Sequence, residues 1–341
     1  MHLAKPSLRD GKAIEVIQEA ARALIQGNLV AFPTETVYGL GADGLNASAV
    51  KKIFQAKGRP ADHPLILHVA DVDHARSLAQ DWPPAAQALA DQFWPGPMTL
   101  ILKRSSHVSD AVTGGQDTVG VRIPKHSVAL SLLEEFSRQG SGVIAAPSAN
   151  RFGGVSPTRA RDVMRGLGNW LGPHDMILDG GDCHVGVEST IVDLSRDCPQ
   201  ILRPGGVSRE LIDATLARVH QGLGVADGSQ PRVSGSLESH YAPKAKVQVL
   251  QQDLLARAAS QALADVSGAK IAVLCRHCPS DLDNRLIVIN MPDAAHAYAQ
   301  KLYATFNDLD VQGVERLLIE APPNGVEWEA VRDRLQRASS A

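Results

Sequence analysis

Before about Val219, short apolar runs follow one another with helical patterns between several of them, and this restricts the chain to an α/β fold. Strand signals stand at Leu29–Phe32, Leu65–Val69, Thr99–Leu102, Val119–Ile123, Val143–Ala146, Met176–Leu178, Thr190–Leu194 and Gln200–Leu202. Helical spacing marks Asp10–Gly27, Ala47–Ala56, Ala85–Phe93, Ser127–Ser137 and Pro157–Leu167. In the first of these, Ile14, Ile17, Leu24 and Ile25 share a face, Asp10 is placed to cap the start and Gly27 to end it. Many strands with interspersed helices predict one domain built on a mixed sheet. Hydrophobic residues make up 44% and aromatics only 4%, so the expected core is aliphatic and alanine-rich.

The character changes at Gln221–Pro243, which is rich in Gly, Ser and Pro and reads as a linker. Beyond it β and α signals alternate again: strand Val247–Leu250, helix Leu254–Ala264, strands Lys270–Leu274 and Leu286–Ile289, helix Ala294–Asp308, strand Arg316–Ile319 and helix Trp328–Arg337. This predicts a small Rossmann-like sheet, with no G-x-G-x-x-G to indicate a dinucleotide. The 341 residues thus divide into 1–219, a linker at 220–245 and a second domain at 246–341.

The formal net charge of −3 argues against a strongly basic nucleic-acid surface. No apolar run approaches a membrane span, and the N-terminal MHLAKPSLRDGK lacks the apolar segment of a signal peptide. Four cysteines make no disulfide framework, so a soluble, cytoplasmic protein is expected. Cys275 and Cys278 form a single C-x-x-C, without a second pair for zinc or a thioredoxin-like context for redox work. No H-E-x-x-H, Walker A loop or nucleophile elbow occurs.

The polar groups with chemical promise gather where strands end. After Leu29–Phe32, Pro33 stops the strand, and PTETVYGLG (Pro33–Gly41) crowds hydroxyls and a carboxylate into a turn that closes with Gly39 and Gly41. Lys57 and Arg59 follow a helical run and suit a triphosphate, or else a solvated helix end offsetting the dipole. Ser148 and Asn150 follow the strand VIAA, placed for phosphate or ribose oxygens, or for an ordinary loop. Ser156 suits a helix cap and Pro157 the first helical position, which would favour an anion there. Arg122, inside an apolar strand, needs a carboxylate ligand or a structural aspartate; His68 is a core residue or a ligand-facing one. GVEST at Gly186–Thr190 and RPGG at Arg203–Gly206 put further polar groups at strand ends. His240 and Tyr241 in the linker either cover a ligand or anchor the linker.

Together PTETVYGLG, FQAKGRP, PLILHVA, FWPGPMTLIL, DTVGVRIP, IAAPSAN, GVESTIVD and ILRPGG, in that order over nearly all of residues 10–215, resemble the YrdC-like threonylcarbamoyl-AMP synthases. HYAP at His240–Pro243 ahead of a small α/β unit is similar to the long, two-domain branch. The resemblance implies an open, twisted α/β domain with a large concave, basic cavity, plus the Rossmann-like domain. It implies synthesis of threonylcarbamoyl-AMP and pyrophosphate from L-threonine, bicarbonate and ATP carrying Mg2+, with no protein metal motif. The product would feed a transferase that modifies tRNA, and weak tRNA binding is a further implication. It assigns ATP to Lys57, Arg59, Thr118, Ser148, Asn150, Ser156 and Arg203, with His240 and Tyr241 over the active-site mouth. Of these, Lys57 and Arg59 would neutralise charge developing on the phosphates. Threonine falls to Thr36, His68, Arg122, Ala146 and Ser189. One departure is the GSLES segment before HYAP, where archaeal members carry a further tyrosine. The rival classes are a double-stranded RNA-binding module and a carbamoyl-adenylate enzyme of the hydrogenase-maturation kind.

Overall fold

The structure is a computed structural model that describes residues 6–224, 230–235, 241–265 and 268–340. It divides into two compact units, the first of Met1–Phe152, Pro157–His184 and Glu188–Ser236, the second of Gly153–Ser156, Val185–Val187 and Leu237–Ala341.

The first unit carries β1 (Ser7–Asp10), β2 (Val30–Phe32), β3 (Gly39–Asp43), β4 (Ile66–His68), β5 (Met98–Lys103), β6 (Thr118–Arg122), β7 (Ile144–Ala145), β8 (Met176–Asp179), β9 (Thr190–Asp193) and β10 (Gln200–Arg203). They form one ten-stranded sheet in the order β1-β8-β2-β3-β7-β4-β6-β5-β9-β10. Parallel pairs such as β4–β6 occur beside antiparallel ones such as β5–β6, so the sheet is mixed, as the interrupted βα pattern predicts. Helices bury aliphatic stripes against it: Ile17, Ala20, Ala21 and Leu24 of Ile14–Ile25 meet Leu132, Leu133 and Phe136 of Ser127–Gln139 over Val30 and Phe32.

Three readings of local structure need correction. Asp10 does not cap the first helix, because it ends β1 and its carboxylate accepts from Lys12 N instead (3.0 Å). Gly39 and Gly41 do not close a turn; they open β3, which runs antiparallel to β2. A Cβ on Gly41 would stand 2.8 Å from Ile144 and 2.9 Å from the Phe32 ring, so glycine serves close packing there. Ser156 and Pro157 do not start a helix either. That helix is Ala160–Leu167, capped by extended Arg159, because Pro157 O and Thr158 O accept from Tyr38 N and Cys183 N (2.8 and 3.0 Å) and hold the segment extended.

The second unit contains β11 (Lys246–Leu250), β12 (Ile271–Cys275), β13 (Ile287–Asn290) and β14 (Arg316–Glu320), all parallel in the order β11-β14-β12-β13. Helix Leu255–Asp265 buries Leu255, Ala259 and Ala262 against Ile271, Val273 and Leu318. The predicted Rossmann-like alternation is present. Two early segments join this unit: Ala242 N bonds to Gly153 O (3.1 Å), and Gly186 lies so close to Gln300 that a Cβ would sit 2.3 Å from its Cα. The described residues include no helix long and apolar enough to cross a membrane.

Candidate active site

Two strand-end loops far apart in sequence meet at Lys57. Helix Ala47–Lys57 is capped by Asn46 and stopped by left-handed Gly58 (φ 61°), which aims Lys57 inward. The Lys57 ammonium donates to Ser148 O (2.6 Å) and to Asn150 O. Lys57 is 2% exposed and Arg59 6%, so the reading of this pair as a solvated helix end is wrong: Lys57 is held against the Ser148–Asn150 loop, and Arg59 against Pro64 and Phe152. Burial, followed by the nearby Arg59 and Arg151 guanidiniums, holds the Lys57 pKa well below the ordinary lysine value. Arg59 donates to Pro64 O (3.0 Å) and lies 5.6 Å from the Phe152 ring centroid. Three cations thus crowd one partly desolvated spot, where an anion would relieve their mutual repulsion.

A second cluster forms where β4 and β6 pair with His68 opposite Arg122. Arg122 donates from Nη2 to Thr36 Oγ1 (3.0 Å) and from Nε to Gly96 O (3.3 Å), and its Nη2 is 2.8 Å from Glu35 Oε1. The structural carboxylate beside buried Arg122 is Glu35, inside PTET, where an aspartate was expected. Sequence reasoning missed Glu35; the only signal was a glutamate placed beside two threonines. Among the described residues both Glu35 carboxylate oxygens lack an aligned hydrogen-bond donor, and Nδ1 of His68 an aligned partner. Burial and Arg122 lower the His68 pKa to about 3, so its ring is neutral at ordinary pH. Thr34 Oγ1 braces the turn: it donates to Val37 O (2.7 Å), accepts from Val37 N (3.2 Å) and lies 2.8 Å from Thr36 Oγ1. Ala146 is buried beside Gly39, whose Cβ, if present, would lie 3.3 Å from it.

Arg203 joins a third group. Its Nε and Nη2 donate to Ser189 O (3.1 and 2.9 Å), and Nη2 also donates to Ser189 Oγ (3.1 Å), which lies 2.8 Å from Thr99 Oγ1. Nη1 donates to Ser234 O (2.8 Å), and Arg59 reaches Ser234 Oγ at 3.5 Å. Arg232, two residues earlier, pairs with Asp62 (2.9 Å) and exchanges hydrogen bonds with Gln116 (2.7 and 3.0 Å). This stretch of the linker therefore lies on the first unit, against Arg59 and Arg203. Thr118 starts β6 on the face that Arg122 shares four residues on, and lines a cavity of about 600 Å³ with Lys103, Gln116 and Gln230.

Ser156 and Tyr241 belong to the second unit. Ser156 is fully buried and its carbonyl accepts from Asn307 Nδ2 (3.5 Å). Tyr241 is buried with a left-handed backbone (φ 62°), stacks on Tyr303 at 5.9 Å and lies under the Arg334 guanidinium. His240 lies outside the described residues. Among the described residues no group of three or more His, Cys, Asp or Glu could hold a metal ion. The cysteine reading is incomplete as well: Cys275 and Cys278 are joined by a disulfide, since the C-x-x-C turn leaving β12 brings their sulfurs together.

Comparison with known proteins covers nearly all of the chain. Residues 22–205 match the family described as telomere recombination, Sua5_yciO_yrdC, and residues 207–340 match the threonylcarbamoyl-AMP synthase C-terminal domain. A threonylcarbamoyl-AMP synthase of Pyrococcus abyssi is 40% identical, over 95% of this chain and 94% of the relative. One of Schizosaccharomyces pombe is 37% identical over 91% and 85%. The crystal structure of P. abyssi Sua5 complexed with L-threonine superposes with a TM-score of 0.84 at 37% identity, covering 96% of this chain and 95% of that one.

Proposed function

The chain belongs to the two-domain Sua5 family of threonylcarbamoyl-AMP synthases, and on that premise we propose that the three clusters bind ATP and L-threonine for one adenylation. The enzyme is a nucleotidyltransferase that makes an adenylate for the threonylcarbamoyladenosine modification of tRNA. The observation that carries the site assignment is Lys57: a buried ammonium, crowded by Arg59 and Arg151, belongs where a polyphosphate is bound. Ser148, Asn150 and Arg203 would complete the phosphate and ribose contacts, with Thr118 at the far end of β6. Thr118 and Arg122 stand about 13 Å apart at roughly 3.3 Å per residue along one strand face, which suits a nucleotide and an amino acid laid end to end. Ser156, His240 and Tyr241 are proposed as further ATP contacts.

Threonine is assigned to the Arg122 cluster. The guanidinium would hold the substrate carboxylate as a fork, and Thr36, Ser189 and neutral His68 would read the hydroxyl. Ala146 would line the pocket. The threonine amine, carboxylated from bicarbonate, presents a carbamate oxygen to the α-phosphorus of ATP, and pyrophosphate leaves. Lys57 and Arg59 would neutralise charge developing on the phosphates. Mg2+ would arrive with ATP, held mostly by phosphate oxygens and water. The linker at Arg232–Ser234, resting on Arg59 and Arg203, is proposed to exclude water over the nucleotide. A cytoplasmic location, a tRNA-modifying transferase as recipient of the product and weak tRNA binding complete the proposal.

The test is pyrophosphate release with ATP, bicarbonate and L-threonine omitted in turn, and with valine and serine in place of threonine. Release that needs all three substrates, with valine strongly disfavoured and serine reduced by about 1–3 kcal/mol, is the expected result. Turnover without an amino acid, or equal rates for threonine and valine, overturns the assignment.

A further inference from the structure

Independently of the adenylation site, we propose that Cys275 and Cys278 form a reversible dithiol/disulfide site that exchanges with small thiols of the glutathione class at Cys278. Cys275 is the last residue of β12 and is fully buried, whereas Cys278 is only partly covered. A thiolate must approach along the sulfur–sulfur axis, and with Cys275 fully buried the partly covered Cys278 is the end it can reach. The bridge spans a sequence separation of 3, so it restricts the unfolded chain little and is a weak staple.

The turn does not depend on the bridge. Glu320, buried at the end of β14, accepts from Arg276 N (2.6 Å) and His277 N (3.2 Å) and pairs with the Arg276 guanidinium. Arg276 in turn lies over the Trp328 ring at 5.5 Å, and Met291 N donates to Cys275 O (2.8 Å). With the backbone clamped in this way, the two sulfurs stay adjacent once the bond is broken and can close again.

The exchange balances with the thiol as reductant. RS⁻ attacks Cys278 Sγ, an R–S–S–Cys278 bond forms, and Cys275 leaves as a thiolate that takes a proton from water. A second thiol attacks the R sulfur, releasing RSSR and the Cys278 thiolate; the pair gains two electrons and the thiols lose two. Of the other cysteines Cys183 is buried and Cys198 exposed, so Cys198→Ser gives a clean background.

The experiment equilibrates the full chain with graded ratios of reduced to oxidised glutathione, quenches in acid, alkylates, and reads the Cys275–Cys278 peptide by mass spectrometry. As the ratio rises, the peptide should pass from no alkyl groups to two in one step, with circular dichroism unchanged. Cys275→Ser should trap a glutathione adduct on Cys278, and Cys278→Ser should form at least about tenfold less on Cys275. A bridge that opens only on denaturation, a peptide reduced at every ratio, or equal adducts in the two variants overturns the proposal. The wild-type titration decides even where a variant does not fold.

Discussion

Lys57 is where function and stability pull in opposite directions. Its charge is disfavoured by burial and by two neighbouring guanidiniums, yet charge is what a triphosphate requires. Lys57→Met keeps the stem and removes the ammonium. We expect pyrophosphate release to fall by about 2–4 kcal/mol of transition-state stabilisation, the scale of one preorganised electrostatic group. The thermal midpoint should rise; a lower midpoint with retained activity would show the cation to be structural. His68 gives a pH signature. Its folded pKa of about 3 lies below the ordinary 6.5, so above 6.5 it contributes nothing to pH dependence. As pH falls from 6.5 towards 3, the unfolded chain takes up a proton that the folded one refuses, and stability is lost. Denaturant melts across that window should show a shallower loss in His68→Gln, with the remaining slope due to His63, His126 and the carboxylates. An unchanged slope sinks the buried-neutral assignment.

At the scale of elements, the RPGG turn after β10 is held against the start of β9. A Cβ on Gly205 would lie 2.4 Å from Glu188 O, Ser189 C and Thr190 N, all backbone, so Gly205→Ala must displace the Ser189 segment. Overpacking of this kind costs about 1–3 kcal/mol. It should also raise the KM for threonine more than that for ATP; equal changes in both would remove Ser189 from the threonine pocket. This turn was legible in the sequence because a cation and two glycines after an apolar run have few uses. The strands of Leu29–Phe32, Leu65–Val69 and Val119–Ile123 were legible as short, mostly apolar runs. Strand β3 was not, since Gly39 and Gly41 carry a turn signature, and their role in close packing shows only once Phe32 and Ile144 lie above them. The burial of Lys57 was equally hidden, because Lys-Gly-Arg after a helix reads the same whether water or the Ser148–Asn150 loop lies beyond it. Glu35 could not be paired with Arg122 without knowing that the loop after β2 reaches β6.

At the scale of the molecule, two short early segments, Gly153–Ser156 and Val185–Val187, complete the second unit. A chain ending at Gly235 keeps Arg232 and Ser234 on the first unit but takes away Ala242, Gln300 and Asn307, which meet Gly153, Gly186 and Ser156 in segments whose Val155 and Val187 are buried in the full chain. We expect this truncation to have a lower thermal midpoint and to bind a hydrophobic dye. A midpoint equal to that of the full chain would mean that the two segments need no cover. The interleaving also has a consequence in time. On a ribosome adding roughly 5–20 residues per second, Gly186 emerges on the order of ten seconds before the Gln300 backbone it must meet. Through that interval the nascent chain holds an almost finished first unit with two apolar seams open. Whatever guards those seams must act while the protein is still being made.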